Sequence, residues 1–136
     1  MNNDIKIAVV LREDLPVWKK LNVTAFTVSG IAGSTEEIIG EKYEDKSGNT
    51  YLPMITQPIV IYSANSEKIK KVHEKALRKG VLFSIFTEDL FLSSTDEASR
   101  EAVKACNSNE LNIVGMAFQN EKRIIDKIVK GLSLQK

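Results

Sequence analysis

The first apolar run of this chain, Ile5 to Leu11, ends in charge: Arg12-Glu13-Asp14 follows it, and Trp18, Lys19 and Lys20 come soon after. A guanidinium and two carboxylates at the carboxyl edge of a sheet can hold a polar ligand, because open α/β sheets bind ligands beyond the C-terminal ends of their strands. Trp18 could stack its indole on a nucleobase or a ribose. The same residues also have purely structural uses, with Asp14 capping a helix, Arg12 in an ion pair and Trp18 as a hydrophobic anchor. Other chemistries lack their residues. There is no phosphate-binding Gly-Lys-Ser/Thr loop, dinucleotide glycine fingerprint or Gly-x-Ser-x-Gly elbow. The only histidine, His73, and the only cysteine, Cys106, cannot supply an ordinary zinc constellation, so no metal or cofactor is expected. His73 sits beside an apolar helical stripe and reads as a packed or half-exposed side chain.

Two stretches concentrate positive charge. Ser66 to Gly80 carries six basic residues against two acidic ones, and Glu121 to Lys136 carries five against two. Side by side, two such helices would form a phosphate-contacting surface; apart, they are solvated faces. The whole chain has 19 basic and 18 acidic residues, so no global field attracts nucleic acid or an anionic membrane.

With 136 residues, 43% of them hydrophobic, the sequence fits a single domain over residues 1–136. A lone cysteine forms no internal disulfide, Met1-Asn2-Asn3-Asp4 lacks the features of a secretion signal, and no apolar run approaches a bilayer's thickness. A protein of the reducing cytoplasm, without membrane attachment, is expected.

The elements that must position the charged groups follow from periodicity. Ile7 to Leu11 is continuously apolar and reads as a central strand buried on both faces. Asp14 and Pro16 start a helix near Leu15, with Val17, Leu21, Thr24, Ala25 and Val28 as its inward stripe. Ala25, Ser29, Gly30, Ala32 and Gly33 would allow close backbone approach. Ile38 to Leu52 reads as a hairpin turning at Asp45-Lys46-Ser47-Gly48-Asn49, flanked by Tyr43 and Tyr51. Ile59 to Tyr62 is a second buried strand, and Ser66 caps a helix ending at Gly80. Val81 to Phe86 forms a third strand, Thr95 to Ala105 a helix capped by Thr95 or Ser94, and Leu111 to Phe118 a fourth strand. Ile124, Ile125, Ile128, Val129 and Leu132 mark a closing helix. This order predicts a three-layer α/β/α sandwich around a mixed, mainly parallel sheet, with an added β-hairpin.

Several blocks resemble the second class of peptidyl-tRNA hydrolases. They are Val9 to Leu15 with Lys19-Lys20, Gln57-Pro58 opening a Val/Ile strand, Gly80 to Glu88, and Ile125 to Leu134. Finer detail is similar to the relatives of that class grouped as the domain of unknown function two thousand: Leu11 to Trp18, Leu21 to Phe26, Ser29 to Gly33, and Tyr51-Leu52-Pro53-Met54. The resemblance implies a peptidyl-tRNA hydrolase II-like fold and a homodimer. It also implies a catalytic lysine at Lys20, with Lys19 as the register alternative, and a carboxylate at Glu88, with Asp89 as the alternative. On that basis Glu88 could orient water and Lys20 could stabilise an oxyanion. The hydrolases' helix glutamine and histidine are replaced here by the run Asn22 to Thr27, and their threonine position is Leu92.

Three functions are therefore expected, in this order. The first is binding of a small anionic or nucleotide-like ligand in a cleft bounded by Arg12, Asp14, Trp18, Lys20 and Glu88. The second is hydrolysis of peptidyl-tRNA or a related acyl ester, the only reading on which tRNA is a partner. The third is a non-catalytic dimeric interaction module. The cleft requires the first strand and the Val81 to Phe86 strand to be neighbours pointing the same way.

Overall fold

A computed structural model describes residues 4–136. Strand β1 (Ile5–Arg12) is the middle of a five-stranded sheet. On its left and right lie β6 (Ile113–Glu121) and β4 (Ile59–Ala64), and the edges are β5 (Leu82–Thr87) and the two-residue β7 (Ser133–Leu134). Alternate residues of β1 serve two separate cores. Ile7, Val9 and Leu11 face one and Ala8 and Val10 the other, which is why the run is apolar without interruption.

Helix α1 (Val17–Ser34) covers β1, β5 and β6 on the first face, and α2 (Ser66–Lys79) and α4 (Lys122–Ile128) cover the second. Helix α3 (Asp96–Lys104) packs on a short 3-10 helix, Glu88–Phe91, that follows β5. The hairpin of β2 (Tyr43–Glu44) and β3 (Thr50–Tyr51) forms with Tyr43 opposite Tyr51. No helix among the described residues is long and apolar enough to cross a membrane.

The expectation of a mainly parallel sheet is corrected. Among hydrogen-bonded neighbours only the β1–β4 pair is parallel; β6 is antiparallel to both β1 and β5, and β7 is antiparallel to β4. An uninterrupted apolar strand reports burial on both faces, and a central antiparallel strand is buried in the same way. Here α3 packs on the 3-10 helix that follows β5, and the chain returns as β6 antiparallel alongside β5. The strands β1 and β5 consequently point the same way but are not neighbours, because β6 lies between them.

Three local expectations also change. The inward stripe of α1 is Val23, Thr27 and Ile31, while Val17 and Leu21 are 71% and 67% exposed. Helix α1 is apolar on several sides, so spacing alone does not select its buried face. Close approach does: a Cβ on Gly115 of β6 would overlap Val23 Cγ1, so the missing side chain is the notch that receives Val23. Asp14 does not cap α1, whose N-cap is Pro16 with no side-chain hydrogen bond. The cap of α2 is Asn65, not Ser66, and its side chain accepts from Lys68 N–H at 2.8 Å. Thr95 caps α3, by accepting from Ala98 N–H.

Candidate functional site

The trailing ends of β1 and β5 meet across the leading end of β6. The backbone N–H of Glu13 donates to Ala64 O at 2.8 Å, carrying β1 to its full length beside β4. The chain then turns over the buried Leu15, and Lys19 and Lys20 begin α1 by donating their N–H groups to Pro16 O. On the other side the Glu88 N–H donates to Asn112 O at 2.9 Å, so the turn after β5 is tied to the residue that precedes β6.

Arg12 closes the gap between these ends. Its guanidinium donates through Nη1 to Asn112 Oδ1 at 3.0 Å, through Nε to Asp14 Oδ1 at 2.6 Å, and through Nη2 to Glu88 Oε2 at 3.3 Å. The fixed planar fork of arginine suits this triple role. The second Glu88 oxygen accepts from Lys19 Nζ at 3.4 Å. The Lys19 ammonium also lies 4.3 Å from the centre of the Phe91 ring and 5.6 Å from that of Trp18, both within cation–π range. Two cations and two carboxylates thus alternate over an aromatic base, with Glu88 held between both cations.

Of the sequence-predicted residues, Arg12, Asp14, Trp18, Lys19 and Glu88 come together. Lys20 does not join them. Its carbonyl accepts the Thr24 hydroxyl at 2.7 Å, and its ammonium forms no ion pair or hydrogen bond among the described residues. Asp89 is exposed, and its carbonyl receives Leu92 N–H in the short 3-10 helix. Sequence reasoning missed Asn112 and Phe91. Phe91 carried a signal, since it lies three residues after Glu88 and one helical turn brings it beneath the same charges. Asn112 carried none beyond standing directly before an apolar strand.

Beside the charges runs a groove of about 580 Å³ between α1, β5, the 3-10 helix and the start of α3. Its apolar lining is a row of rings in contact. Trp18 meets Phe91 edge-on at 6.0 Å, Phe91 meets Phe86 at 4.8 Å, and Phe86 meets Phe26 at 5.9 Å. Ser84 of β5, the segment Ser93 to Thr95 before α3, and Asp96 and Ser99 of α3 add polar lining, including one carboxylate. Trp18 and Phe91 line the groove and also lie against Lys19, so the charged cluster adjoins the groove through those two rings. The volume lies within the range of small-molecule sites, about 300–1,000 Å³. Among the described residues no group of three or more His, Cys, Asp or Glu could hold a metal ion.

The family described as "Protein of unknown function (DUF2000)" matches residues 5–136. A solved structure of a protein of unknown function from Agrobacterium tumefaciens is similar at 44% identity, with a TM-score of 0.95, over 98% of each chain. No curated protein matches. The chain belongs to the DUF2000 family.

Proposed function

We propose that this DUF2000-family protein binds a small anionic, nucleotide-like ligand, with its flat apolar part against Trp18 and Phe91 and its anionic part at Lys19 and Arg12. The observation that carries this reading is the continuity of an aromatic-walled groove with a paired cationic cluster through those two rings. Stacking on aromatic faces is worth about 1–3 kcal/mol per base and tolerates different bases, while the cations select the phosphate end. Glu88 and Asp14 act as placeholders, holding Arg12 and Lys19 in position until an anion displaces one of their contacts.

Trp18 is the only tryptophan in the chain, so its fluorescence reports the site directly. Adenosine monophosphate is expected to quench it saturably, with affinity at least about tenfold weaker in Lys19→Ala and in Phe91→Ala. That factor corresponds to roughly 1.4 kcal/mol. Absence of saturable quenching at millimolar nucleotide, or binding indifferent to both substitutions, overturns the proposal.

A second reading, hydrolysis of peptidyl-tRNA or a related acyl ester, is favoured by one contact, the pairing of Lys19 with Glu88 in an open cleft. In it Glu88 orients a water and Lys19 stabilises the oxyanion. Turnover of a peptidyl-tRNA mimic that disappears in both Lys19→Ala and Glu88→Gln supports it; no turnover by the unmodified protein removes it. A homodimer would cover Val17 and Leu21, which α1 turns to solvent. Light scattering at several concentrations tests that assembly, and a mass that stays monomeric removes it.

A further inference from the structure

The two basic segments lie against each other on the sheet face opposite the groove, where α2 packs beside α4. Between α2 and the turn after α4 is a cleft of about 260 Å³ whose charged lining is Lys68, Lys71, Lys75 and Lys130, over a floor that includes Val72 and Ile128. The positions 68, 71 and 75 fall on one face of α2. No acidic residue lines the cleft. None of the four ammonium groups takes part in an ion pair or a hydrogen bond among the described residues.

This arrangement is unfavourable when empty of anions. Like charges three and four residues apart on a helix repel, and Lys68 stands in the first turn of α2, where the helix dipole disfavours a cation. On α2, Glu67 and Glu74 stand four residues before and three after Lys71 and offset part of this repulsion, but among the described residues no acid lines the cleft or pairs with its lysines. Glu67 lines a different cleft together with Lys70, Asp126 of α4 is engaged by Lys6 at 2.7 Å, and Glu74 lies outside the lining.

We infer that this cleft is a second, separate binding site, and that its ligand is a chain of two or more phosphates. Four ammonium groups call for a compact ligand of several negative charges, which a single carboxylate does not supply. Lysine meets phosphate oxygens as a point charge, whereas planar carboxylates are matched best by the arginine fork, and no arginine lines this cleft. No aromatic ring lines it either, so recognition stops at the phosphates and ignores any base attached to them. The groove on the other face has the opposite character.

Calorimetric titration of the full chain with inorganic tripolyphosphate at about 50 mM salt tests this, a condition in which screening still leaves surface charges effective over roughly 14 Å. Saturable binding is expected. It should weaken at least tenfold in the double variant Lys71→Gln/Lys130→Gln and stay within twofold in Lys70→Gln/Lys79→Gln, which removes the same charge from outside the cleft. Lys19→Ala should also leave it within twofold, so the result stands or falls independently of the groove. A parallel titration with adenosine triphosphate in Lys19→Ala/Phe91→Ala, which weakens the groove, identifies the source of the phosphate chain: equal affinity means a free or a nucleotide-borne chain is accepted, and tighter binding of either names it. No binding of either compound, or equal weakening in both double variants, overturns the inference.

Discussion

Lys19 and Glu88, 69 residues apart in sequence, meet at 3.4 Å, and Glu88 in turn meets Arg12 at 3.3 Å. The pair joins the first turn of α1 to the segment that follows an edge strand. It is partly open to water, so its contribution to stability is about 0–1 kcal/mol. Its significance is positional: one carboxylate sets the spacing of the two cations, of which Lys19 lies against the Trp18 and Phe91 rings that line the groove.

Replacing Glu88 by glutamine separates the two functional readings. The amide keeps the shape and removes the charge that competes with an incoming anion for Arg12 and Lys19. Adenosine monophosphate should therefore quench Trp18 with affinity raised severalfold. If Glu88 instead serves as a base for ester hydrolysis, turnover of a peptidyl-tRNA mimic is lost in the same variant.

Arg12→Lys is not a conservative change here. One ammonium cannot reach Asn112, Asp14 and Glu88 in the fixed directions that the guanidinium serves. Unfolding in urea should show a loss of about 0–1 kcal/mol, because Asp14 and Glu88 remain open to water when the guanidinium is gone. The Glu88 and Asn112 amides should exchange faster with solvent. Unchanged exchange at both would remove Arg12 as the clasp between the strand ends.

The strands, the hairpin and most of the helices were legible because their signals are local. Tyr43 opposite Tyr51 follows from the turn at Asp45 to Asn49, and β1 announces its burial through five apolar residues in a row. The order of the strands was not legible, because nothing within Val114 to Phe118 says whether its neighbours run with it or against it. The buried face of α1 was missed for the same reason: the absent Cβ of Gly115, 92 residues away, selects Val23. At the site, the sequence pointed to a lysine at 19 or 20 and a carboxylate at 88 or 89. Only the N-cap of α1 at Pro16 and the tie from Glu88 to Asn112 decide that Lys19 and Glu88 are the ones that meet.

Gly115→Ala tests that notch. The added methyl would overlap Val23 and touch Leu11, whose Cδ2 would lie 3.4 Å away. Overpacking of this kind costs about 1–3 kcal/mol. The second substitution Val23→Ala should restore part of the loss in the double variant, although alone it opens a cavity and destabilises. Additive losses in the double variant would show that the two residues do not share the space.

His73 predicts a pH dependence on the opposite face. It is 5% exposed, set edge-on to Phe83 at 6.0 Å, and burial pushes its imidazole below the ordinary 6.5, with neighbouring Glu74 opposing in part. As pH falls through 6.5 the unfolded chain takes up the proton before the folded one, so stability declines over that interval. Urea midpoints at pH 7.5 and pH 5.0 should differ more in the wild type than in His73→Leu. Parallel shifts in the two proteins would rule out His73 as the cause.

The hairpin carries the last prediction, and the sign is again set by proton linkage. The Tyr51 hydroxyl donates to Asp45 Oδ2 at 2.6 Å, the Asn49 side chain donates to the same oxygen at 3.1 Å, and the Asn49 and Ser47 N–H groups donate to Oδ1. These donors, Tyr51 foremost, lower the Asp45 carboxyl from 3.8 to about 2 and raise the Tyr51 hydroxyl. A depressed carboxyl stabilises the turn above its unfolded value and loses that effect as pH falls through the folded one. The hairpin should thus stay ordered at pH 4 and loosen between about 4 and about 2, followed by the Asn49 amide resonance. Tyr51→Phe removes the strongest donor, so Asp45 should titrate closer to 3.8 and the loosening should begin at higher pH. An Asp45 titration that does not move in Tyr51→Phe would show that the Asn49 and Ser47 donors hold the carboxylate without Tyr51.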